Sequence, residues 1–377
     1  MAKICILGDI CPDNNYRSFF DNGMLPFSEN IISIIKNSDY TIANLECPAT
    51  ESNKPVTKCG PCLKAMPNDL ELLKKAGFNA LSLANNHILD YGPVAAKETL
   101  ELCESLNIET FGAGIIQDAK KALIKEFDNK KIGFLSFAEE EFNLATEDTV
   151  GANHFDPYES LQEIQELKKE VDLLIILYHG GIEHYQYPSP KLQKKCRTMS
   201  EFGADIILCQ HSHCIGTVEK YNNSFILYGQ GNSLFGFRQG DTSWNQGYIT
   251  IIDTNTPFEP DFQLLEATPE GVVLCNNKKR DTSITQMLEA SENLTNKTFL
   301  INEWSRFVNK KKSIYYPLLY GLNRIVNKLN RLTGNRIIDL LFCKKAQMIT
   351  MNVIRCEAHN EVILTMLEEK VYDKKQL

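Results

Sequence analysis

Five short apolar runs each end in residues able to bind a cation, and this recurrence constrains the chain more than any other feature. Ile4–Leu7 runs into Gly8-Asp9, and Thr41–Ala43 into Asn44-Leu45-Glu46. Leu81–Leu83 runs towards Asn85-Asn86-His87, Leu173–Tyr178 into His179-Gly180-Gly181, and Ile206–Leu208 towards Gln210-His211-Ser212-His213. Runs of this length, rich in Ile and Leu and bounded by Gly, Asn and Asp, read as buried strands. In an α/β sheet, ligands collect outside the carboxyl ends of the strands. Five such ends would converge on one place, carrying four of the seven histidines.

Helical patterns separate the strands. One starts at Pro67-Asn68-Asp69, carries Leu70, Leu73 and Ala76, and ends at Gly77; a second covers Pro93 to Leu106; Asp156-Pro157 opens a third through Leu161, Ile164 and Leu167. Further strand-like runs are Ile132–Phe137, Phe225–Tyr228 and Tyr248–Ile252. The alternation argues for α/β layers. After Asp253 the character changes. Thr254–Pro260 reads as a turn or linker, and from about Asp281 the chain looks helical and polar. The expected division is a site-bearing domain over 1–255, followed by sheet-completing strand(s) and a helical extension over 256–377.

Composition narrows the class. With 43% hydrophobic and 23% charged residues, the 377-residue chain is neither disordered nor a disulfide knot. A net charge of −8 argues against nucleic acid as a partner. The apolar run after Lys3 is too short for a signal peptide, and no window reaches the about 20 apolar residues of a membrane span. The twelve cysteines are scattered, several of them inside apolar runs. The expectation is therefore a cytoplasmic protein with reduced thiols.

The candidate ligands are chemically coherent. Asp9, Glu46, Asn86, His179, His211 and His213 make a mixed oxygen and nitrogen set suited to Mn²⁺, Fe²⁺ or Zn²⁺ rather than to a thiolate-bound structural zinc. Six protein ligands are too many for one catalytic ion with an open position. They suit two divalent ions about 3.5–4 Å apart, with Glu46 as the bridging carboxylate.

These residues lie in motifs that resemble the poly-γ-glutamate capsule-biosynthesis family of CapA type, within the calcineurin-like metallophosphoesterase superfamily. The motifs are Lys75-Ala76-Gly77-Phe78 and Ala84-Asn85-Asn86-His87-Ile88-Leu89-Asp90-Tyr91-Gly92; then His179-Gly180-Gly181-Ile182-Glu183; then Gly203-Ala204-Asp205 leading to Gln210-His211-Ser212-His213; and Tyr228-Gly229-Gln230-Gly231-Asn232. The resemblance spans about Lys3 to Asp253. It implies a four-layer α/β/β/α sandwich with a dinuclear centre: Asp9, Glu46 and His213 on one ion, and Glu46, Asn86, His179 and His211 on the other. It also implies that His87 stabilises or protonates the leaving oxygen. Lys64 and Glu183 become candidates for holding an anionic substrate or orienting a ligand. Asp90 becomes a support for the His87 loop, and Asn232 a residue at the site mouth. Three positions depart from the superfamily pattern. Cys11 stands where the first motif usually has a histidine, and is itself a candidate thiolate ligand. Glu46 replaces an aspartate, and Gln210 a glycine.

Two further features remain. Cys59-Gly60-Pro61-Cys62 has thioredoxin-like spacing, but the polar, Pro55-containing segment before it supplies no buried strand, so it reads as an incidental loop pair. From Trp304 to Lys345 there are ten basic residues and one acid, interleaved with apolar ones. Such a segment could cap the sandwich, or touch an acidic partner or the inner membrane face. The leading expectation is a metal-dependent phosphoester hydrolase of capsule or cell-surface polymer synthesis, acting on an anionic or phosphorylated substrate. The alternative is a non-hydrolytic accessory subunit of a polymer-synthesis complex that keeps the fold and binds an anionic polymer.

Overall fold

Alternate residues of the central strands face two different apolar interiors, and this period of two sets the layering. The computed structural model describes residues 2–12, 14–319, 324–334, 336–337 and 343–371. The strands in chain order are β1 (Lys3–Ile10), β2 (Tyr40–Leu45), β3 (Ala80–Ser82), β4 (Glu109–Phe111), β5 (Ala113–Gly114), β6 (Leu123–Phe127), β7 (Lys130–Ala138), β8 (Gly151–Ala152) and β9 (Leu173–His179). They continue with β10 (Ile206–Gln210), β11 (Val218–Tyr221), β12 (Ser224–Leu227), β13 (Asn232–Leu234), β14 (Gln246–Asp253), β15 (Asp261–Thr268) and β16 (Gly271–Leu274).

One sheet has the order β16-β15-β14-β1-β2-β3-β4, with β13 pairing β1. The strands β1 to β4 run parallel, and β14 to β16 add an antiparallel wing. The other sheet has the order β11-β12-β10-β9-β7-β6, parallel except at its two edges. A two-stranded ribbon, β5-β8, stands apart.

Ile4 and Ile6 of β1 share a buried cluster with Ile175 and Leu177 of β9 and with Ile206 and Leu208 of β10, which is the interface between the sheets. The opposite face of β1, Cys5 and Leu7, packs with Ile31 and Ile35 of helix Glu29–Lys36 and with Leu70 and Leu73 of helix Pro67–Ala76. The outer face of the second sheet, including Leu174, Ile176 and Ile207, packs on Ile164 of helix Ser160–Lys168 and on Leu192, Cys196 and Met199 of helix Pro190–Glu201. The result is a four-layer α/β/β/α sandwich.

Helix Pro67–Ala76 ends where the sequence indicates, with Gly77 left-handed at φ 112°. The third helix starts later than Asp156-Pro157 suggests. The Asp156 carboxylate accepts the N–H groups of Tyr158 (2.6 Å) and Glu159 (3.3 Å), and this local turn delays the helix to Ser160.

The chain divides into two compact units, Met1–Ile301 and Asn302–Leu377. Helix Asn277–Glu292 lies in the first. The second contains helices Arg324–Leu332, Lys344–Arg355 and Glu357–Val371. Of the basic 304–345 stretch, residues 320–323, 335 and 338–342 lie outside the described residues. Among the described residues, no helix is long and apolar enough to cross a membrane.

Leu177 is wholly buried between the sheets, two residues before His179. Leu177→Ala is expected to lower stability by about 2–5 kcal/mol, because the surrounding sheets cannot collapse onto the cavity. Chemical denaturation midpoints of the two proteins check this.

Candidate metal centre

Strand register brings the singled-out residues together. In the first sheet Asp9 of β1 is paired with Asn44 of β2 and with Asn232 of β13. In the second, His179 at the end of β9 is paired with Gln210 at the end of β10, so His211 follows directly beside it. Glu46 comes one residue after β2, and the Asn85-Asn86-His87 turn follows β3. Both sheets therefore deliver their carboxyl-terminal ends to one buried cluster. His211 and His213 sit on a tight turn with positive φ (78° and 50°), a strained geometry for non-glycine residues, which turns their side chains inward.

Two groups of potential ligands result: Glu46 with His179 and His211, and Asp9 with Glu46 and His213. Within each group the donor atoms lie within 4.8 Å of one another, and Glu46 belongs to both. Its Oε1 is 3.5 Å from His179 Nε2 and 3.9 Å from His213 Nε2. Both carboxylate oxygens of Glu46 are buried without a hydrogen-bond partner, as is His211 Nδ1. An anionic side chain buried with neither oxygen satisfied is costly in a protein interior unless a cation is present. The donor set fits a divalent ion for this reason.

The surrounding contacts orient the ligands. Asp9 Oδ1 accepts from Asn44 Nδ2 (2.7 Å), and Oδ2 accepts from the His211 backbone N–H (2.9 Å). His213 Nδ1 donates to Asn232 Oδ1 (2.8 Å), leaving Nε2 to face Glu46. Asn232 is itself held by donation from its Nδ2 to Trp244 O (2.9 Å). A hydrogen bond of this kind on the far ring nitrogen fixes the tautomer of a ligating histidine. His179 Nε2 lies 2.9 Å from Asn86 Oδ1 and its Nδ1 is 3.1 Å from Asn44 Nδ2. The tautomer protonated at Nε2 satisfies both contacts, and a cation would take the place of that proton. Asn86 Nδ2 donates to Glu141 Oε2 (3.3 Å).

Electrostatics favour the ligand forms of the histidines and disfavour bare carboxylates. Burial, reinforced by neighbouring imidazoles, holds His179 and His213 well below the ordinary histidine range, so both are neutral with a lone pair available. Burial pushes the Asp9 carboxyl up to about 6, against the pull of its Asn44 and His211 hydrogen bonds. Glu46 is raised well above its usual range, by burial first and then by the charge of Asp9.

His87 stands beside this cluster. Its Nδ1 donates to Asp90 Oδ2 (2.6 Å), and its Nε2 faces Glu46 Oε1 at 4.0 Å. Asp90 also accepts the Leu63 backbone N–H (2.6 Å) and pairs with Lys58, whose side chain is 2% exposed. Lys58 Nζ lies 3.3 Å from His87 Nδ1. Asp90 thus ties the 56–63 loop to His87.

The remaining candidates fall elsewhere. Cys11 is wholly buried with the apolar cluster on the outer face of the first sheet and belongs to neither ligand group, although it lies close enough for its charge to be felt at Glu46. Lys64 Nζ donates to Ser52 O (2.7 Å) and Asn53 Oδ1 (3.0 Å) and lies over the Tyr91 ring. Glu183 has a side chain 55% exposed, and its charge is felt at Glu46. Cys59 is exposed and Cys62 half-buried on an irregular loop, both as free thiols. Lys58, Glu141 and Trp244 carry no signal in the sequence. Asn44, two residues before Glu46, stands in the strand-end group singled out from the sequence, but its role as a donor to Asp9 does not show there.

The geometry can be set beside known proteins. Residues 3–237 match the family model described as "Bacterial capsule synthesis protein PGA_cap". The chain is similar to the PGA biosynthesis protein CapA of Bacillus subtilis, with 34% identity over 68% of this chain and 70% of that protein. It is also similar to the capsule biosynthesis protein CapA of Bacillus anthracis, with 31% identity over 56% of this chain and 53% of that one. Among solved structures, a 5'-nucleotidase precursor of Thermus thermophilus is similar over 60% of this chain and 46% of its own, at 16% identity and a TM-score of 0.37.

The raised Asp9 carboxyl has a definite pH signature. Asp9 holds its proton more tightly folded than unfolded, where its ordinary value is 3.8, so its contribution favours folding at low pH and is lost as pH rises towards about 6. In chelator-treated protein, the stability of wild type relative to Asp9→Asn is expected to fall by on the order of 3 kcal/mol between about pH 4 and pH 6, and to stay flat above. Denaturation midpoints across that range check it, and a rising difference would contradict it.

Proposed function

This chain belongs to the PGA_cap family of bacterial capsule synthesis proteins, and on that premise we propose that its buried cluster is a divalent-metal site for phosphoester hydrolysis in capsule polymer synthesis. The observation that carries this reading is Glu46: it lies wholly buried at the end of a first-sheet strand, with both oxygens unpartnered, facing neutral imidazoles delivered by the second sheet.

On this reading Asp9, Glu46 and His213 would hold one ion, and Glu46, His179 and His211, joined by Asn86, would hold the other, with Glu46 common to both sets. When bound, two ions such as Mn²⁺, Fe²⁺ or Zn²⁺ supply Lewis acidity that acidifies water and screens phosphate charge. Asn44 and Asn232 fix how the ligands point. His87, anchored through Nδ1 by Asp90, presents Nε2 towards the cluster, where it protonates the departing oxygen. The buried Lys58 holds Asp90 in place and so positions His87.

A second reading is favoured by Cys11, which leaves an apolar buried thiol where the superfamily places a histidine. On that reading the protein keeps one ion and serves a polymer-synthesis complex as a non-hydrolytic accessory subunit.

Elemental analysis and turnover of bis(4-nitrophenyl) phosphate with Mn²⁺ separate the two. The first reading requires two ions per chain, and a loss of at least about 100-fold in rate for His179→Ala. One ion per chain, equal background rates for both proteins and co-purification with a synthase would establish the second. His87→Ala is expected to cost roughly 10²- to 10⁴-fold with an alkyl leaving group, and much less with 4-nitrophenolate, which departs without a proton. Equal losses with both leaving groups would remove His87 from the role of acid.

A further inference from the structure

Arg238 lies beside the cluster, and nothing assigned so far uses it. Its guanidinium carbon lies over the Trp244 ring, 3.0 Å from the centroid. Trp244 in turn packs against the ligand histidine His213, with ring centroids 4.7 Å apart. The stack leads from solvent, where Arg238 is exposed, to a buried imidazole.

Three observations distinguish Arg238 from an ordinary surface arginine. Arg17, Arg197 and Arg280 each pair with a carboxylate, whereas no carboxylate among the described residues lies within ion-pair distance of Arg238. Its backbone is clamped from both sides by Asn245, which accepts from Arg238 N–H (2.9 Å) and donates to Arg238 O (2.7 Å). The preceding Phe237 is clamped in the same way by Asn15, at 3.0 and 2.8 Å. Trp244 is fixed by donation from Nε1 to Gly236 O (3.0 Å). A long, flexible cation is thus set on a rigid platform, which lowers the entropy lost when it engages a ligand. Finally, the exposed carboxylate of Glu183 is felt both at Glu46 and at Arg238, which puts Arg238 on the open side of the cluster. Asp241 also faces Arg238, but its carboxylate is engaged by the Trp244 backbone N–H (3.1 Å).

We propose that Arg238 binds a second oxyanion of the substrate, a carboxylate or phosphate lying beyond the group held at the metal centre. The planar guanidinium suits either by paired N–H donation. The site would therefore prefer substrates with two separated negative charges over single-charged esters. This rests on reading the cluster as a metal site that binds an anion.

The test uses the full chain loaded with Mn²⁺ and carrying Trp304→Phe, so that Trp244 is the only tryptophan. Trp244 fluorescence is titrated with methylphosphonate, 3-phosphonopropionate and propane-1,3-bisphosphonate. Arg238→Gln is expected to raise Kd about tenfold or more for the two probes that carry a second oxyanion group and to leave methylphosphonate unchanged. Arg238→Lys should recover part of the loss. The probe that loses more names the second group as carboxylate or phosphate. Equal Kd values in parent and Arg238→Gln for all three probes would overturn the proposal. If the Mn²⁺-loaded parent binds none of them, the metal-site reading fails and the proposal falls with it.

Discussion

Two carboxylates, Asp9 and Glu46, are buried side by side with too little hydrogen bonding to support their charges. Asp9 has two donors to its oxygens and Glu46 has none. In a low-dielectric interior such a pair resists ionisation, as the upward shifts of both groups express. Three imidazoles crowd the same space, and two of them, His179 and His213, are kept neutral rather than supplying compensating charge. Much of the surrounding architecture, from the clamped Asn44 and Asn232 to the strained His211–His213 turn, serves to hold this arrangement.

The sandwich makes the arrangement feasible. Neither sheet alone could form it, because the carboxylates come from the first and the ligand histidines from the second. The shared interior of Ile4, Ile6, Ile175, Leu177, Ile206 and Leu208 fixes the distance between the two sets of strand ends. That interior is filled by stiff, well-packed side chains, so small errors in sheet spacing would be resisted there rather than absorbed at the site. Asp9 binds the sheets directly as well, since it accepts from the His211 backbone across the gap.

Much of this was legible in the sequence, and for physical reasons. Buried parallel strands read as uninterrupted apolar runs, and the residues that end them announce themselves as Asp, Glu, Asn and His. The strands that escaped notice, such as β6 and β11, are edges: their half-exposed, mixed residues lack a run or a clean alternation. Within the site, Lys58 and Trp244 were not legible because they arrive on irregular loops, where no period links position to direction. Lys58 is the sharper case: a lysine in a polar stretch beside a Cys-x-x-Cys reads as solvated, yet the loop folds back and buries it against Asp90. Glu141 reaches Asn86 from another irregular segment, and spacing alone gives no clue to that contact.

The amide of His211 has an unusual position: its proton rests on a carboxylate at the heart of the cluster while the residue's own ring faces the same space. Any gain or loss of charge on Asp9 must pass into that N–H bond. The backbone resonance of this single residue is therefore an intrinsic reporter, able to register in solution what happens at the centre without any label, colour or turnover.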